Sequence, residues 1–535
     1  MRRLALCVLG LAACAAPAPV PAPPGPATPA AIPGDAPLAT ISEGTLRSEL
    51  AAFAADSFRG RETGTPDADR AARFLADRLR AMGAEPAGDS GYFHRVPLVR
   101  EYLGAGTSFT VTGAGSPSSL AVGAEVVPIL SPGEGLYTKH RAEGDLVFVG
   151  YGMTTPTRDD LAGLDLRDKI VVVVNGAPAG ADSATRRQLE SQDGIALRLQ
   201  RILPQRPAGV VVLMTGQGES FYRQLAPEIL RTVSAAAPAP PTDDAQRQFP
   251  MLLLGVARQG SALLPTGWPS DDRPRPLTGR RFTGRVEVAR DPFTAYNVVA
   301  VVRGSDPALS RTYVALGAHY DHIGIQPAIG GDSIANGADD DGSGSVALLE
   351  IARSLARAAS RPLRSTLFVW HAGEEKGLLG SAHFTERMTV PIDSVVAQIN
   401  ADMVGRHGAA TADAPAPRSG GENTLFIVGP SAAPNNQSRA LGQLVDSVNA
   451  RQPTPFAFNR EWDSPTHPER IYFRSDHYSY AKKGIPIVFL TTGLHEDYHK
   501  VSDEPSKIDY AKLARVAALM HDVAVAVGNR RTRPR

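Results

Sequence analysis

The chain of 535 residues contains only two cysteines, Cys7 and Cys14, and both stand close to its first residue. The rest of the sequence therefore has no disulfide framework and no cysteine-based metal site. Aromatic residues make up 6%, and neither sign of charge dominates, because 56 Lys and Arg face 55 Asp and Glu. A formal net charge of +1 gives no basic surface of the kind that binds nucleic acid, so we expect no nucleic-acid partner.

The first apolar run, over residues 4–13, is too short to cross a membrane. It follows Arg2 and Arg3, which is the form of a secretory signal. The run ends in Leu-Ala-Ala-Cys, which resembles a bacterial lipobox whose cysteine is lipidated. We therefore predict a signal peptide with a lipobox over residues 1–14, and export to the bacterial cell envelope with membrane association only through lipid on Cys14. Plain secretion is the alternative.

Composition and hydrophobic pattern divide the remaining chain into four parts. Ala and Pro dominate residues 15–40, which we interpret as an extended tether. Residues 41–120 begin with two helical patterns around the loop SFRGRETGTPDADRAA, to which we assign packing and no chemistry. Short β-type runs broken by Gly and Pro fill residues 121–288 and predict a small β-rich domain with a role in access or recognition. Residues 289–530 alternate between strand and helix patterns.

That alternation predicts an α/β fold, with a mainly parallel central sheet and helices on both faces. The sites of such sheets lie beyond the carboxyl ends of the strands. Acids and histidines of this chain follow the predicted strands TYVALGA, STLFVW, SVVAQIN and IPIVFL: these residues are His319, Asp321, Glu374, Glu375, Asp402 and His499. Four strands are therefore expected to deliver their side chains to one edge of the sheet.

These residue types indicate a hydrolase centre with two metal ions. Zinc binds His nitrogen and carboxylate oxygen, and a pair of zinc ions about 3.5–4 Å apart needs a bridging carboxylate. One acid of Asp339–Asp341 is expected to bridge, His319 is a candidate ligand, and Asp321 is a candidate partner that fixes its imidazole tautomer. Of the adjacent Glu374 and Glu375, one carboxylate can bind metal while the other takes a proton from activated water.

Each of these motifs has an ordinary structural explanation when it is taken alone. Adjacent glutamates are usually a solvated turn, and a DDDGSG run is more often a turn with a helix cap. The joint occurrence of the motifs in one order favours the metal site. Serine hydrolases and kinases are excluded, because the sequence has no G-x-S-x-G elbow or phosphate-binding glycine loop in a supporting context.

Six motifs in order resemble those of the M28 family of zinc metallopeptidases, the bacterial aminopeptidases and their relatives. They are HYDHIG, NGADDDGSG, HAGEEKGLLGS, NADMVG, RSDHYSYAKKGIP and HEDYHKVSD. Residues 121–288 are similar to the protease-associated domain that is commonly inserted in that family. The resemblance implies that residues 289–530 form the catalytic domain, with residues 41–120 as its amino-terminal part.

The resemblance also implies two Zn²⁺ ions per chain and a ligand set. His319 and Asp402 are implied as ligands of one ion, Glu375 and His499 as ligands of the other, and Asp340 as the bridge between the two ions.

Three further residues acquire catalytic roles through the resemblance. Glu374 is implied as the general base, Asp321 as the acid that orients a ligand, and Tyr498 as a residue that polarises the scissile carbonyl. His495 is a rival of His499 because it stands close by in sequence. His322 is expected to orient a loop and not to bind metal.

The implied function is zinc-dependent hydrolysis of peptide bonds, most simply the removal of amino-terminal amino acids from peptides. Other activities of the same family remain open: carboxypeptidase, dipeptidase and glutaminyl cyclase, the last with a single metal ion. The alternative from another class is a receptor-like ectodomain without catalysis. Such a protein would be expected to lose ligands or the base, whereas every expected position is occupied here.

Overall fold

The computed structural model describes residues 41–534, except for the positions 114–116, 131–136, 156–157, 179, 191, 217, 221, 224–225, 227–229, 236–247, 258–260 and 408–420. The predicted signal peptide with its lipobox, Cys14 and the tether lie outside the described residues, so these stay predictions. Among the helices that can be described, none combines the length and the apolar character that a membrane span needs.

The α-helices with described bounds are, in chain order, α1 (Glu43–Phe53), α2 (Pro66–Met82), α3 (Ser183–Glu190), α4 (Gln192–Ile202), α5 (Gly344–Arg357), α6 (Leu379–Glu386), α7 (Arg439–Asn449), α8 (His477–Ala481) and α9 (Tyr510–Gly528). The start of α2 shows why such a helix forms where it does. Thr65 accepts a hydrogen bond from the N–H of Ala68 at 3.4 Å, and Pro66 occupies the first turn, where a missing N–H has no cost.

The strands up to residue 302 are β1 (Glu85–Pro86), β2 (Phe93–Leu103), β3 (Ser108–Thr112), β4 (Ser118–Ser119), β5 (Val126–Ile129), β6 (Tyr137–Thr138), β7 (Arg141–Phe148), β8 (Thr154–Thr155), β9 (Arg158–Asp159), β10 (Ile170–Asn175), β11 (Gly209–Met214), β12 (Arg231–Ala235), β13 (Gln248–Phe249), β14 (Met251–Val256), β15 (Arg275–Arg285) and β16 (Val288–Val302). Those that follow are β17 (Tyr313–His319), β18 (Ile325–Ile329), β19 (Asp332–Ile334), β20 (Ser365–His371), β21 (Val395–Ala401), β22 (Thr424–Val428), β23 (Ala457–Asn459) and β24 (Ile487–Thr491).

The larger sheet has the strand order β12-β2-β16-β20-β17-β21-β24-β22-β23, with β1 paired to β16. Its centre, β20-β17-β21-β24, is parallel, which confirms the predicted α/β fold. The flanks are different: β16 runs antiparallel to both β20 and β2, and β22 runs antiparallel to β24. An apolar run predicts a buried strand but carries no information on its direction, so the sequence did not reveal these antiparallel flanks.

Helices cover both faces of this sheet. Leu367 and Val369 of β20 pack in a core that also contains Phe384 of α6 and residues of α8. Trp370, directly after Val369, points to the opposite face, where its indole N–H donates to the main-chain oxygen of Ser345 in α5 at 3.0 Å. Helices α2, α5 and α9 pack together with the strands on that side. The strands are therefore buried on both faces, as a parallel centre requires.

A second sheet is built between residues 108 and 285, with the strand order β4-β3-β15-β7-β10-β11-β14-β5. Its strands β7, β10, β11 and β14 are parallel, and β10 and β11 carry the continuous valine runs of the sequence. Separate cores cover its two faces. Strand β12 belongs to this stretch of chain but pairs with β2 at the edge of the larger sheet. The division into a catalytic domain and an inserted domain stays a prediction.

Candidate metal centre

The four parallel strands end side by side at one edge of the larger sheet. Strand β17 ends at His319 level with the end of β20, and the ends of β21 and β24 are level as well. The acids and histidines lie at these ends or in the loops that follow them, as expected for an open α/β sheet. The predicted ligands that the structure brings together here are His319, Asp340, Glu375, Asp402 and His499.

The two ring nitrogens of the buried His319 have different surroundings. Nδ1 donates to the main-chain oxygen of Asp321 at 3.0 Å. Nε2 faces Asp340 Oδ1 at 3.2 Å and Asp402 Oδ1 at 3.6 Å. Asp321 was predicted to fix the imidazole through its carboxylate, but the nearer group is its carbonyl, since the carboxylate oxygen lies 3.9 Å from Nδ1. The hydrogen bond leaves Nε2 free to act as a ligand.

Asp340 is the acid of the Asp339–Asp341 run that faces two histidines. It lies in the buried turn Ala338–Ser343 that leads into α5, and its peptide bond to Asp341 is cis. Its Oδ1 lies 3.2 Å from His319 Nε2, and its Oδ2 lies 3.3 Å from His499 Nε2. Asp339 and Asp341 instead accept main-chain N–H groups. The two oxygens of Asp340 therefore face two groups of candidate ligands. The first group contains His319 and Asp402, and the second contains Glu375 and His499.

Glu375 belongs to the second group and lies between two histidines. Its Oε2 is 3.0 Å from Nε2 of His499, and its Oε1 is 2.6 Å from Nδ1 of His322. His322 is fully buried, and it also lies 3.8 Å from Asp340 Oδ2. The structure therefore places His322 inside the cluster. The sequence signal for this placement was that His322 follows His319, the last residue of β17, by three positions.

Glu374 lies on the side of the first group, with Oε2 at 3.9 Å from Nε2 of His319. Its main-chain N–H donates to Oδ1 of Asp321 at 3.2 Å, and Oδ2 of the same carboxylate accepts the hydroxyl of Thr63 at 2.9 Å. The carboxylate of Asp321 thus orients the loop that carries the glutamate pair. Thr63 comes from the loop that the sequence analysis assigned to packing alone.

The two adjacent glutamates have opposite electrostatic surroundings. Burial raises the pKa of Glu374 well above its usual value; His319 opposes this effect, while Asp402 and Glu375 reinforce it. Burial acts in the same direction on Glu375, but the neighbouring His499 outweighs it and lowers the pKa of Glu375 below its usual range. A pair of acids whose pKa values are driven apart is the arrangement expected where one group transfers a proton and the other stays ionised.

Tyr498 and His499 are held as one unit at the mouth of the site. Their rings stack with centroids 3.9 Å apart, and the Tyr498 hydroxyl accepts a hydrogen bond from Arg474 Nη2 at 3.1 Å. His499 has a left-handed backbone with φ of 57°. A non-glycine residue in this conformation costs of order 1 kcal/mol or more and is typical of functional sites.

An open pocket adjoins the acids, and polar and apolar side chains both line it. The polar lining residues are Asp340, Glu374, Glu375, Asp402, Arg474, Thr491, Tyr498 and His499. The apolar lining residues are Met403, Trp462, Ile471, Phe489 and Leu494. The pocket can therefore hold an apolar side chain next to the polar centre.

The other histidines of these motifs have structural partners. His495, the sequence rival of His499, lies 3.2 Å from Asp339 Oδ2, behind the turn of Asp340. His371 is hydrogen-bonded to the Tyr480 hydroxyl at 3.2 Å, and burial lowers its pKa to about 3. His477 donates to a main-chain oxygen at 2.9 Å. The geometry therefore favours His499 over His495 beside Asp340.

The residues of the cluster fit a metal ion. Candidate ligand atoms lie within 4.8 Å of one another in two groups that share Asp340: His319 with Asp402, and His322 with Glu375. Asp340 Oδ2 is buried without a hydrogen-bond donor, although histidine nitrogens surround it. Burial lowers the pKa of His319, but Glu374 and Asp402 outweigh this effect and raise it well above its usual value. The cluster therefore attracts positive charge, and its donor set is that of zinc.

Residues 297–524 match the model of peptidase family M28. This stretch, here called the M28 region, is the part of the chain that is similar to that family. It contains all predicted ligands and the predicted base, whereas Thr63 and the second sheet lie outside it.

Curated relatives are similar to part of this chain. A probable leucine aminopeptidase of Arthroderma benhamiae is 30% identical over 253 residues, which cover 46% of this chain and 61% of the relative. Leucine aminopeptidase 1 of Trichophyton rubrum is 30% identical over 251 residues, which cover 44% and 60%. This chain thus spans about three fifths of the length of these relatives.

Among solved structures, the aminopeptidase from Aneurinibacillus sp. strain AM-1 is similar over 90% of this chain and 93% of its own. The TM-score is 0.51 and the sequence identity is 19%. At this level of identity the similarity establishes a shared fold and nothing further.

Proposed function

We propose that this protein is a zinc-dependent aminopeptidase that removes amino-terminal residues from peptides at a site with two Zn²⁺ ions. The observation that carries the proposal is the position of Asp340, whose Oδ1 lies 3.2 Å from His319 and whose Oδ2 lies 3.3 Å from His499. Such a carboxylate can bridge two ions. His319 and Asp402 would hold one ion and Glu375 and His499 the other.

Side chains of the site supply proton transfer and stabilisation of the oxyanion. Bound zinc would supply Lewis acidity, which polarises a peptide carbonyl and acidifies water. Glu374, whose pKa is raised and which lies on the side of His319, accepts the proton of the attacking water and delivers it to the leaving amine. The Tyr498 hydroxyl donates to the developing oxyanion. No covalent intermediate with the protein is needed.

The pocket supports a preference for a large apolar first residue. Trp462, Ile471, Phe489 and Leu494 line the same pocket as the acids, and burial of a leucine-sized side chain is worth about 1.5–3 kcal/mol. The names of the fungal relatives agree with this preference.

The deciding experiment measures cleavage by the purified chain, first stripped of metal by chelation and then reloaded with zinc. Aminoacyl reporters with Leu, Phe, Ala and Asp are compared with the same peptides carrying a blocked amino terminus. The proposal requires zinc-dependent release from the Leu and Phe reporters and none from the blocked peptides. Cleavage of blocked peptides from their carboxyl end would identify a carboxypeptidase, and cyclisation of amino-terminal Gln a glutaminyl cyclase. No turnover on any substrate would support a receptor-like ectodomain.

We also propose that the protein is exported and anchored by lipid at Cys14, and that the sheet between residues 108 and 285 controls access of substrates. Mass spectrometry of the amino-terminal peptide from the native host tests the anchor, and absence of a lipid mass would contradict it. Deletion of residues 121–288 is expected to change the accepted peptide length more than the turnover of a small reporter.

A further inference from the structure

The segment Gly60-Arg61-Glu62-Thr63, here called the Gly60–Thr63 loop, lies outside the M28 region yet contacts the main chain around the metal centre. Gly60 has φ of 70°, and a Cβ atom there would come within 2.4 Å of the main-chain oxygen of Ala335 and 2.7 Å of that of Gly324. The main-chain oxygen of Gly60 also accepts a hydrogen bond from the N–H of Gly324 at 3.2 Å. The loop is therefore packed directly against the segments that follow His319 and precede Asp340.

Arg61 is fully buried, and main-chain carbonyls hold its guanidinium. It donates to the carbonyl of Tyr320 at 2.8 Å, of Asn336 at 2.7 Å and of Gly337 at 2.8 Å. Tyr320 directly follows His319, and Gly337 precedes the turn of Asp340. One side chain thus joins the segment that follows His319 to the segment that precedes Asp340, and its positive charge interacts with Asp321 and Asp340.

Thr63 connects to the loop of the glutamate pair. Its hydroxyl donates to Oδ2 of Asp321 at 2.9 Å and accepts the N–H of Gly373 at 2.9 Å, across 310 positions of sequence. Asp321 in turn accepts the N–H of Glu374 through Oδ1 at 3.2 Å. Two consecutive N–H groups, just before and within the glutamate pair, are therefore fixed by Thr63 and by the carboxylate that Thr63 holds.

Glu62 adds a third contact to the same loop. Its carboxylate pairs with Lys376 Nζ at 3.2 Å, directly after Glu375, and its main chain bridges to that of His322. The chain on both sides of the glutamate pair is thus tied to the Gly60–Thr63 loop.

We propose that Thr63 and Arg61 are positioning residues of the metal centre: Thr63 fixes the loop of Glu374 and Glu375 through Asp321 and Gly373, and Arg61 fixes the segments of His319 and Asp340. The proposal rests on the zinc peptidase function proposed above. It assigns a role in metal binding and proton transfer to a segment more than 230 positions before the M28 region begins.

The test compares Thr63→Val with Thr63→Ser in the otherwise unchanged chain. Valine has the shape of threonine but lacks the hydroxyl, so the N–H of Gly373 and the carboxylate of Asp321 lose a buried partner. Serine keeps both hydrogen bonds. Outer partners of metal ligands typically contribute 10–100-fold to metal affinity or activity. We expect T63V to weaken zinc binding, measured by titration against a chromogenic chelator, by about tenfold and to lower kcat by about tenfold or more with little change in KM.

The zinc affinity and the kcat of T63S are both expected to stay within about twofold of the wild-type values. Equal zinc affinity and kcat in T63V and the wild type would overturn the proposal. So would an equal loss in T63S and T63V, because a loss that serine does not rescue reflects packing of the methyl group. Thermal unfolding of both variants accompanies the assay, and a T63V protein that is merely unfolded would also contradict a positioning role.

Arg61→Lys tests the second contact. Lysine keeps the charge but cannot reach three carbonyls at once, so zinc affinity is expected to fall about tenfold. Unchanged zinc affinity in R61K would remove Arg61 from the proposal. Failure of the proposed function itself has a different signature, since the wild type would then bind no zinc or cleave no peptide, whereas failure of the positioning role alone leaves a wild type that binds zinc and cleaves peptides.

Discussion

Glu374 and Glu375 are neighbours in the chain but face different histidines. Oε2 of Glu374 lies 3.9 Å from Nε2 of His319, whereas Oε2 of Glu375 lies 3.0 Å from Nε2 of His499. The pKa of Glu374 is raised, mainly by burial, and that of Glu375 is lowered because His499 outweighs burial. The family resemblance predicts different roles for the same two residues, with Glu375 as a ligand and Glu374 as the base.

The first prediction separates the two glutamates. Glu374→Gln removes the proton acceptor but leaves the ligands in place, so two zinc ions are expected to remain while kcat falls by about 10²–10⁴-fold. Glu375→Gln is the matched control, and it is expected to lose zinc from one site. Atomic absorption and steady-state kinetics on both proteins provide the measurement. Retention of wild-type kcat in E374Q would eliminate Glu374 as the base.

A second prediction concerns Asp340 as the shared ligand. Asp340→Asn has nearly the same shape but cannot bridge two cations with two charged oxygens, so zinc content is expected to fall at both sites. Asp402→Asn removes a ligand from one site, and its zinc content is expected to fall by about one ion per chain. The measurement is the zinc content per chain after dialysis against a defined concentration of free zinc. Two bound ions in D340N would exclude the bridge.

The sequence predicted that the candidate ligands lie close together because they follow strand ends. An apolar run ends where the strand leaves the core, so an acid or histidine directly after it, such as His319 or Asp402, is placed by the strand itself. The direction of β16 and β22 was not predictable in this way, because an apolar strand has the same composition in either direction.

The sequence also did not predict contacts between residues that are far apart in the chain. Thr63 is hydrogen-bonded to Asp321 across 258 positions and to Gly373 across 310. No periodic pattern in the sequence predicts such a contact. The loop around Thr63 has the composition of an ordinary turn, so it was assigned to packing. The HYDHIG motif did point to His322 as a residue near the site. Its contact with Glu375 could not be predicted, because this contact depends on how the loop folds.

A third prediction is a pH dependence of stability. Burial, opposed by His319, raises the pKa of Asp476 to about 7, and both of its carboxyl oxygens are buried without a hydrogen-bond partner among the described residues. The pKa of an unfolded Asp is about 3.9. Between these values the folded protein holds a proton that the unfolded chain releases, so stability falls as pH rises through this range.

Asp476→Asn carries no charge at either end of that range. The melting temperature of metal-free D476N is therefore expected to exceed that of the metal-free wild type at pH 8, by a few degrees, and to approach it at pH 4.5. Other titrating groups are common to both proteins and cancel in the difference. A constant difference between the two pH values would contradict the assignment.

A fourth prediction tests the hydroxyl of Tyr498. Burial raises the pKa of Tyr498 above its usual value, and the charge of Asp340 reinforces this, so the hydroxyl stays protonated and can donate. Tyr498→Phe keeps the ring that stacks on His499 and removes only the donor. We expect kcat to fall by about 10²-fold, as for loss of one oxyanion donor, with zinc content unchanged. A loss of zinc in Y498F would instead assign Tyr498 to support of His499.

The last prediction decides between the two histidines beside Glu375. By distance both are candidates, since His499 lies 3.0 Å from Oε2 and His322 lies 2.6 Å from Oε1. Their surroundings differ: the His499 side chain is 38% exposed and lines the pocket, while His322 is fully buried with Nδ1 against the carboxylate. A short contact of this kind is typical of a hydrogen bond that orients a ligand.

We therefore expect His499→Gln to lose one zinc ion and His322→Ala to keep both ions with about tenfold weaker binding. His322→Asn, whose amide can replace Nδ1 as the donor to Glu375, is expected to restore most of that affinity. The opposite pattern, with one ion lost from H322A and both kept in H499Q, would make His322 the ligand. It would also leave His499 free to contact the substrate, because its side chain is the one that reaches the open pocket.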